Sequence, residues 1–200
     1  MKTSSKTLLF LAVPVFLFSC NNGYDPLVGQ DVGKLVYHSI EECCYITLPF
    51  EASFTGEYLS AEADIACGEC NIDSGYCWGS VKISITGACH PLDTFSGLFE
   101  FCCDFINGYY PGDHSLAYMI DSENDTLFVR AMGQVIDGRT ANHPEYVTSY
   151  WKDPFQITGG TGKYLNATGT GMTDDYNSRL DPYSHHHWSG TIILPEENYD

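Results

Sequence analysis

Basic side chains are scarce: nine Lys and Arg stand against 26 Asp and Glu, a formal net charge of −17 at pH 7. A chain so poor in cations cannot neutralise a phosphate backbone, which excludes nucleic acid as a partner. Adhesion to anionic lipid is disfavoured for the same reason. The acids are dispersed rather than run together, so they read as a solubilising surface. Also missing is any long amphipathic period of 3.6, and with it the helical classes. No apolar run reaches the length that crosses a bilayer as a helix. The serine-hydrolase pattern GxSxG does not occur, and His38, His90, His114 and His143 sit in unrelated contexts.

What is there begins with Lys2 and Lys6 before the 11-residue apolar run Leu8 to Phe18, which suits the core of a signal peptide. The run ends in "LFSC", with Leu17 three residues before Cys20 and small Ser19 just before it. That pattern resembles the lipobox of bacterial lipoproteins, although Phe18 is bulkier than usual there. An ordinary cleaved signal with a chance cysteine is the alternative. The resemblance implies that residues 1–19 are removed and that Cys20 is lipidated. It places the protein in the bacterial cell envelope, the outer membrane in particular, touching the membrane through its lipid alone. Discounting Lys2 and Lys6, seven bases then face the 26 acids, a net −19. Residues 20–34, rich in Gly, Asn and Asp, read as a flexible tether. Residues 35–195 suffice for one domain, and 196–200 form an acidic tail.

Eight further cysteines follow: Cys43, Cys44, Cys67, Cys70, Cys77, Cys89, Cys102 and Cys103. An even number in an exported protein favours disulfides. Eight allow 105 pairings, so spacing does not settle connectivity. Neighbours on a strand point to opposite faces, so Cys43 does not easily bond Cys44. One arrangement sets 43–44 opposite 102–103 on adjacent strands, while Cys67, Cys70 and Cys77 staple the loop between them. Zinc is the rival, since "CGEC" is a CxxC, but no second CxxC accompanies it.

The rest of the chain alternates short β-branched and aromatic runs with Gly, Asp, Asn and Pro clusters. Candidate strands are "KLVYHSI", "CYITLPFEASFTGEYL", "GSVKISITGAC", "TFSGLFEFCCDFI", "HSLAYMI", "DTLFVRAMGQVI", "YVTSYWKDPFQIT", "YLNATGTGMTDDY" and "HHWSGTIIL". "DSEND" joins two of them as a hairpin. Eight or nine antiparallel strands suit a barrel or a sandwich, and closure favours the barrel because it removes exposed edges.

The stretch "FQITGGTGKYLNATGTG", Phe155 to Gly171, looks like a phosphate cradle. A Walker loop would need glycine where Ile157 stands and Ser or Thr where Tyr164 stands, and GxGxxG fails at Leu165 and Asp174. Glycine at a tight turn and at barrel bends explains the pattern instead, with Tyr164, Asn166 and Thr168 alternating along the next strand and Lys163 solvated in the turn. "FQITGGTGKYLNATGTG" resembles the F-x-I-x-G-G-T-G-x-F-x-x-A-x-G signature of the allene oxide cyclase and dirigent-like barrels, with Tyr164 in place of Phe. "SENDTLFVRAMGQV" and "SGTIIL" are similar to the family's preceding hairpin and closing strand. The likeness covers roughly the last 80 residues. It implies an all-β, eight-stranded, antiparallel, lipocalin-like barrel with an apolar cavity. It implies no activity, and no catalytic residue is carried over.

Two groups of residues carry candidate chemistry. On a strand His185 and His187 share one face, with His186 and Trp188 on the other; with Asp181 or Asp175 the pair can hold zinc or copper, or simply begin a solvated strand. No other cofactor is expected. Tyr110, Tyr150, Trp151 and Trp188 lie in polar, loop-like stretches suited to stacking on a sugar or another ring-bearing ligand, or to plain packing. The acidic turn "DSENDT" lacks EF-hand spacing and reads as solvated. The function expected is therefore a lipid-anchored envelope barrel that binds a small apolar, ring-bearing or glycan ligand, or serves as an interaction module, without enzymatic chemistry. A cavity-based isomerase or cyclase and a purely structural subunit are the alternatives. The oligomeric state is left open.

Overall fold

Alternation with a period of two is visible along the chain, and pairing of the strands turns it into an inside and an outside. The computed structural model describes residues 45–196. Residues 1–19, the tether 20–34, Cys20, Cys43, Cys44, the candidate strand 34–40 and the tail beyond 196 lie outside the described residues. The main strands are β1 (Tyr45–Ala63), β2 (Tyr76–His90), β3 (Asp93–Asp104), β4 (Ser115–Asp121), β5 (Thr126–Ala131), β6 (Pro154–Gly160), β7 (Thr168–Thr173) and β8 (Ser184–Pro195). Each pairs antiparallel with the next, and β8 returns to β1, which closes an eight-stranded barrel. Closure satisfies the backbone groups that a sandwich would leave on its edges.

The inward positions carry the large apolar side chains. Phe50, Phe54, Phe95, Phe99, Phe155 and Trp188 are all buried. Their rings touch in sequence: Phe50 to Phe155 at 5.3 Å, Phe155 to Trp188 at 5.4 Å, Trp188 to Phe54 at 5.1 Å and Phe54 to Phe95 at 5.5 Å between centroids. Burying each such ring contributes about 1.5–3 kcal/mol. The apolar cavity implied by the family resemblance is thus occupied along the middle of the barrel by the protein's own rings. Gly171 makes room for one of them: a Cβ there would lie 2.2 Å from the Ser189 carbonyl oxygen and 2.4 Å from the Phe155 ring. That is the close-approach role expected for glycine inside a barrel strand.

The "GGTGK" turn differs from the expected tight reversal. β6 ends at Gly160, Gly162–Tyr164 form a 3-10 turn, and β7 starts only at Thr168. Tyr164 is therefore not a strand residue. Its ring is buried and its hydroxyl donates to Asp121 Oδ2 at 3.0 Å. Lys163 is not simply solvated either. Its Nζ lies 2.8 Å from Asp121 Oδ2 and 3.1 Å from Glu123 Oε2, while its amide donates to Asp125 Oδ2. The β4–β5 hairpin turn, residues 122–125, and the β6–β7 turn are thereby fastened at one barrel end. Burial raises the Asp121 pKa, but Lys163, Tyr164 and the amides of Glu123 and Asp125 together bring it below the ordinary carboxylate value.

At the opposite end, short strands lengthen the wall. Asp175–Ser178 continues β7 and pairs with the start of β8, and Val147–Trp151 pairs with Asp175–Ser178 on one side and Ile136–Asp137 on the other. This end is the mouth.

Candidate functional site at the barrel mouth

Buried polar residues stand at the mouth end of the ring stack. On β8 the pattern Ser184, His186, Trp188 points inward while His185 and His187 face out, as strand alternation requires. Ser184 and His186 are buried at 0% and 4% exposure, and so is Asp175 at 1%. Unpartnered polar groups at such depth would cost several kcal/mol, so their contacts decide the local structure. Asp175 accepts from Trp188 Nε1 at 2.9 Å and from the His187 amide at 3.1 Å. His186 Nε2 is 2.8 Å from Ser184 Oγ. His186 Nδ1 is 3.1 Å from Asp175 Oδ2 but not aligned for a hydrogen bond. The imidazole is clamped against the Phe54 ring, stacked at 4.5 Å and 9°, and against Trp151 at 5.7 Å.

Tyr58 adjoins this group. Gly56 pairs directly with Ser184, so Tyr58 stands diagonally from it on the same face. Its hydroxyl donates to Asn177 Oδ1 at 3.3 Å, and Asn177 is held by its own Nδ2 donating to Ser149 Oγ at 2.9 Å. Desolvation raises the Tyr58 pKa, more than hydrogen bonds with Asn177 and Ser184 lower it, so the phenol is protonated at neutral pH. A second pair lies nearby: Tyr110 donates to Asp153 Oδ2 at 2.8 Å, and the Gln134 amide donates to the same oxygen. Burial, reinforced by the Asp153 charge, pushes the Tyr110 phenol far up. Burial likewise raises Asp153 above the ordinary carboxylate range.

A cleft of about 640 Å³ opens at this end. Its walls include Tyr58, Val81, Phe101, Cys103, Phe105 and Val135, with Asn107 and Gln134 among the few polar groups. Phe105, Ile106 and Ile136 at its edge are half exposed. Asp104 holds the rim in place, accepting from the amides of Cys77 at 2.9 Å and Ile106 at 3.1 Å and from Asn107 Nδ2. Burial opposes its ionisation, yet those donors together keep its pKa below the usual value. A polar groove of about 580 Å³ on the outer wall is lined by Lys82, Glu100, Asp113 and Arg130. Its two cations are already engaged, Lys82 with Glu100 and Arg130 with the Gly112 and Asp113 carbonyls.

The arrangement considered above holds in part: Cys70 bonds Cys77 and the two staple their loop, but Cys102 bonds Cys67. Cys102 borders the outer groove and Cys103 the mouth cleft, so the vicinal pair straddles the wall and cannot turn to one partner strand. β3 moreover neighbours β2 and β4, not β1, which follows Cys43 and Cys44. Cys89 and Cys103 are buried thiols bonded to no described cysteine. Desolvation pushes them up to about 12 and about 11 respectively, the latter helped by Asp104.

His185, His187 and Asp181 do not converge. Asp181 lies 3.1 Å from His185 Nε2, whose ring stacks on Tyr176, whereas His187 reaches Ser53 Oγ at 3.1 Å and Glu51. Among the described residues, three donor atoms approach one another at Asp121, Glu123 and Asp125, where Lys163 already engages the first two. The four aromatic candidates do not form one platform either. Trp188 is fully buried, Trp151 and Tyr110 are buried, and Tyr150 packs on His143 in an outer groove. Spacing did not point to the Ser184, His186 and Asp175 group. The one legible signal was the inward phase of His186, shared with Trp188.

No family model matches the chain, and no curated protein matches it. Among solved structures, the pterocarpan synthase dirigent protein GePTS1 is similar at 12% identity and a TM-score of 0.39, over 84% of this chain and 98% of that one. The fold described above rests on this chain's own strand pairing.

Proposed function

We propose that this protein is a lipid-anchored barrel of the bacterial envelope, held by acylated Cys20, that binds a small, neutral, ring-bearing molecule at its mouth. The observation that carries the reading is the mouth cleft of about 640 Å³, which has the size and the apolar lining with few polar contacts typical of small-molecule sites. Half-exposed Phe105, Ile106 and Ile136 around it support the same reading, since a rim of large apolar side chains gains by being covered. An uncharged ligand suits the chain's net charge of −17, which repels anions. The "LFSC" pattern at Leu17 to Cys20 supports the anchor, and scarcity of cations makes a covalent one necessary.

Native mass spectrometry of the protein purified from its own host tests the reading. A mass excess that disappears on denaturation and yields an apolar organic molecule is expected. A bare polypeptide mass that also binds no added neutral dye would overturn it.

A further inference from the structure

We propose that Tyr58, Ser184, His186 and Asp175 form a proton relay that opens on the mouth cleft and moves a proton between two atoms of a bound, neutral, ring-bearing ligand. The inference deepens the binding function proposed above and rests on it. The four groups adjoin one another, with Tyr58 Oη resting on Asn177 Oδ1 and the Ser184 hydroxyl on the Gly56 carbonyl oxygen at 3.3 Å before a proton moves. Tyr58 is part of the cleft wall, Ser184 stands diagonal to it on the same face, His186 Nε2 is 2.8 Å from Ser184 Oγ, and Asp175 Oδ2 is 3.1 Å from His186 Nδ1.

Packing alone does not explain this set. The neighbouring inward positions of β8 are Trp188, Ile192 and Leu194, and apolar residues at 184 and 186 would remove the desolvation cost of a serine and a histidine. Instead the chain keeps both and leaves space for them. A Cβ on Gly56 would lie 2.5 Å from Ser184 Oγ and 3.2 Å from His186 Nε2. The far end is immobilised: Asp175 by Trp188 Nε1 and the His187 amide, the imidazole by Phe54 and Trp151. With the proton on Nδ1, on the side of the Asp175 carboxylate, Nε2 is the acceptor for the Ser184 hydroxyl once that hydroxyl turns from the Gly56 carbonyl oxygen. That is the state a base relay needs.

In the forward step the Tyr58 hydroxyl turns from Asn177 Oδ1 to Ser184 Oγ, and the ligand's proton passes to Tyr58 Oη as the phenol's own proton moves to Ser184 Oγ and the serine's to His186 Nε2. The imidazolium that results lies against the Asp175 carboxylate. Running the steps backward delivers a proton to a second atom of the same ligand. The net change is an isomerisation, and no oxidant, reductant or co-reactant is required. Tyr58 touches the ligand, while Ser184, His186 and Asp175 act through it.

The probe is 5-nitrobenzisoxazole, a neutral two-ring carbon acid. Removal of its C3 proton breaks the N–O bond and releases 2-cyano-4-nitrophenolate, read by absorbance, the proton then leaving to water. Saturable turnover is expected from the full-length protein. Tyr58→Phe, whose ring is partly exposed, and Ser184→Ala should each lower kcat roughly 100-fold with KM changed less than about twofold. A solvent deuterium isotope effect on kcat should vanish in Tyr58→Phe. Unchanged kcat in Tyr58→Phe, or no turnover although the probe displaces the neutral dye Nile red from the cleft, would overturn the relay and leave binding intact. Failure of both Nile red and the probe to bind would overturn the binding function, and the relay with it.

Discussion

Lys163 Nζ lies 2.8 Å from Asp121 Oδ2, joining the glycine-rich turn to the hairpin turn beside it. Asp121 is almost fully buried and Lys163 is about one quarter exposed, so the pair is only partly screened by water. Removing the lysine leaves a buried carboxylate facing only Tyr164 and two amides. Lys163→Met should therefore destabilise the barrel by about 1–3 kcal/mol, read as a lower urea midpoint with an unchanged slope.

The same contact sets an acid limit. Asp121 and Asp104 both have folded pKa values below the ordinary 3.8. Between the lowered and the ordinary value, the unfolded chain binds more protons than the folded one. Their contribution is thus fully present above the ordinary value and is lost as pH falls through the folded values. Urea midpoints measured downward from pH 5 should fall below about pH 4, and less steeply in Lys163→Met.

Gly171 supports the ring stack by having no side chain. With a Cβ 2.2 Å from the Ser189 carbonyl and 2.4 Å from Phe155, Gly171→Ala should cost about 1–3 kcal/mol of stability. It should also broaden the side-chain NMR signals of Phe155 and Trp188.

Peptide mapping of the non-reduced protein should find the Cys67–Cys102 and Cys70–Cys77 bonds. Cys89 and Cys103 should resist alkylation at pH 8 until the barrel unfolds, since burial pushes both thiols to about 11 or higher and leaves almost no thiolate. Opening the Cys67–Cys102 link should cost about 3 kcal/mol.

The proposed anchor depends on one residue. Cys20→Ala should move the protein from the membrane fraction to the soluble fraction and abolish incorporation of labelled palmitate. Retention in the membrane without label would contradict acylation.

Much of this architecture is legible in local pattern. The phase of "SHHHW" places His186 and Trp188 on one face, because strand alternation is a property of the backbone alone. The "DSEND" hairpin is equally local: the Asp121 amide and the Asp125 carbonyl meet at 3.0 Å. Features made by contact between distant segments are not legible in this way. Tyr164 leaves the strand because its hydroxyl finds Asp121, 43 residues away. Cys102 finds Cys67 because β3 lies beside β2 and the loop before it, a neighbour relation that eight cysteines alone leave undetermined. The His186 and Asp175 contact is made by the pairing of Asp175–Ser178 with β8.

The most direct test of the central claim is Nile red titration of the folded protein beside two variants. Ala61 is an exposed residue of the cleft wall, and Tyr150 lines the separate outer groove with His143. Binding at the mouth predicts saturable dye fluorescence in the unaltered protein and in Tyr150→Ala, and a loss of affinity of roughly tenfold or more in Ala61→Trp, whose indole fills the cleft. Equal affinity in Ala61→Trp, or loss of binding in Tyr150→Ala alone, would contradict it.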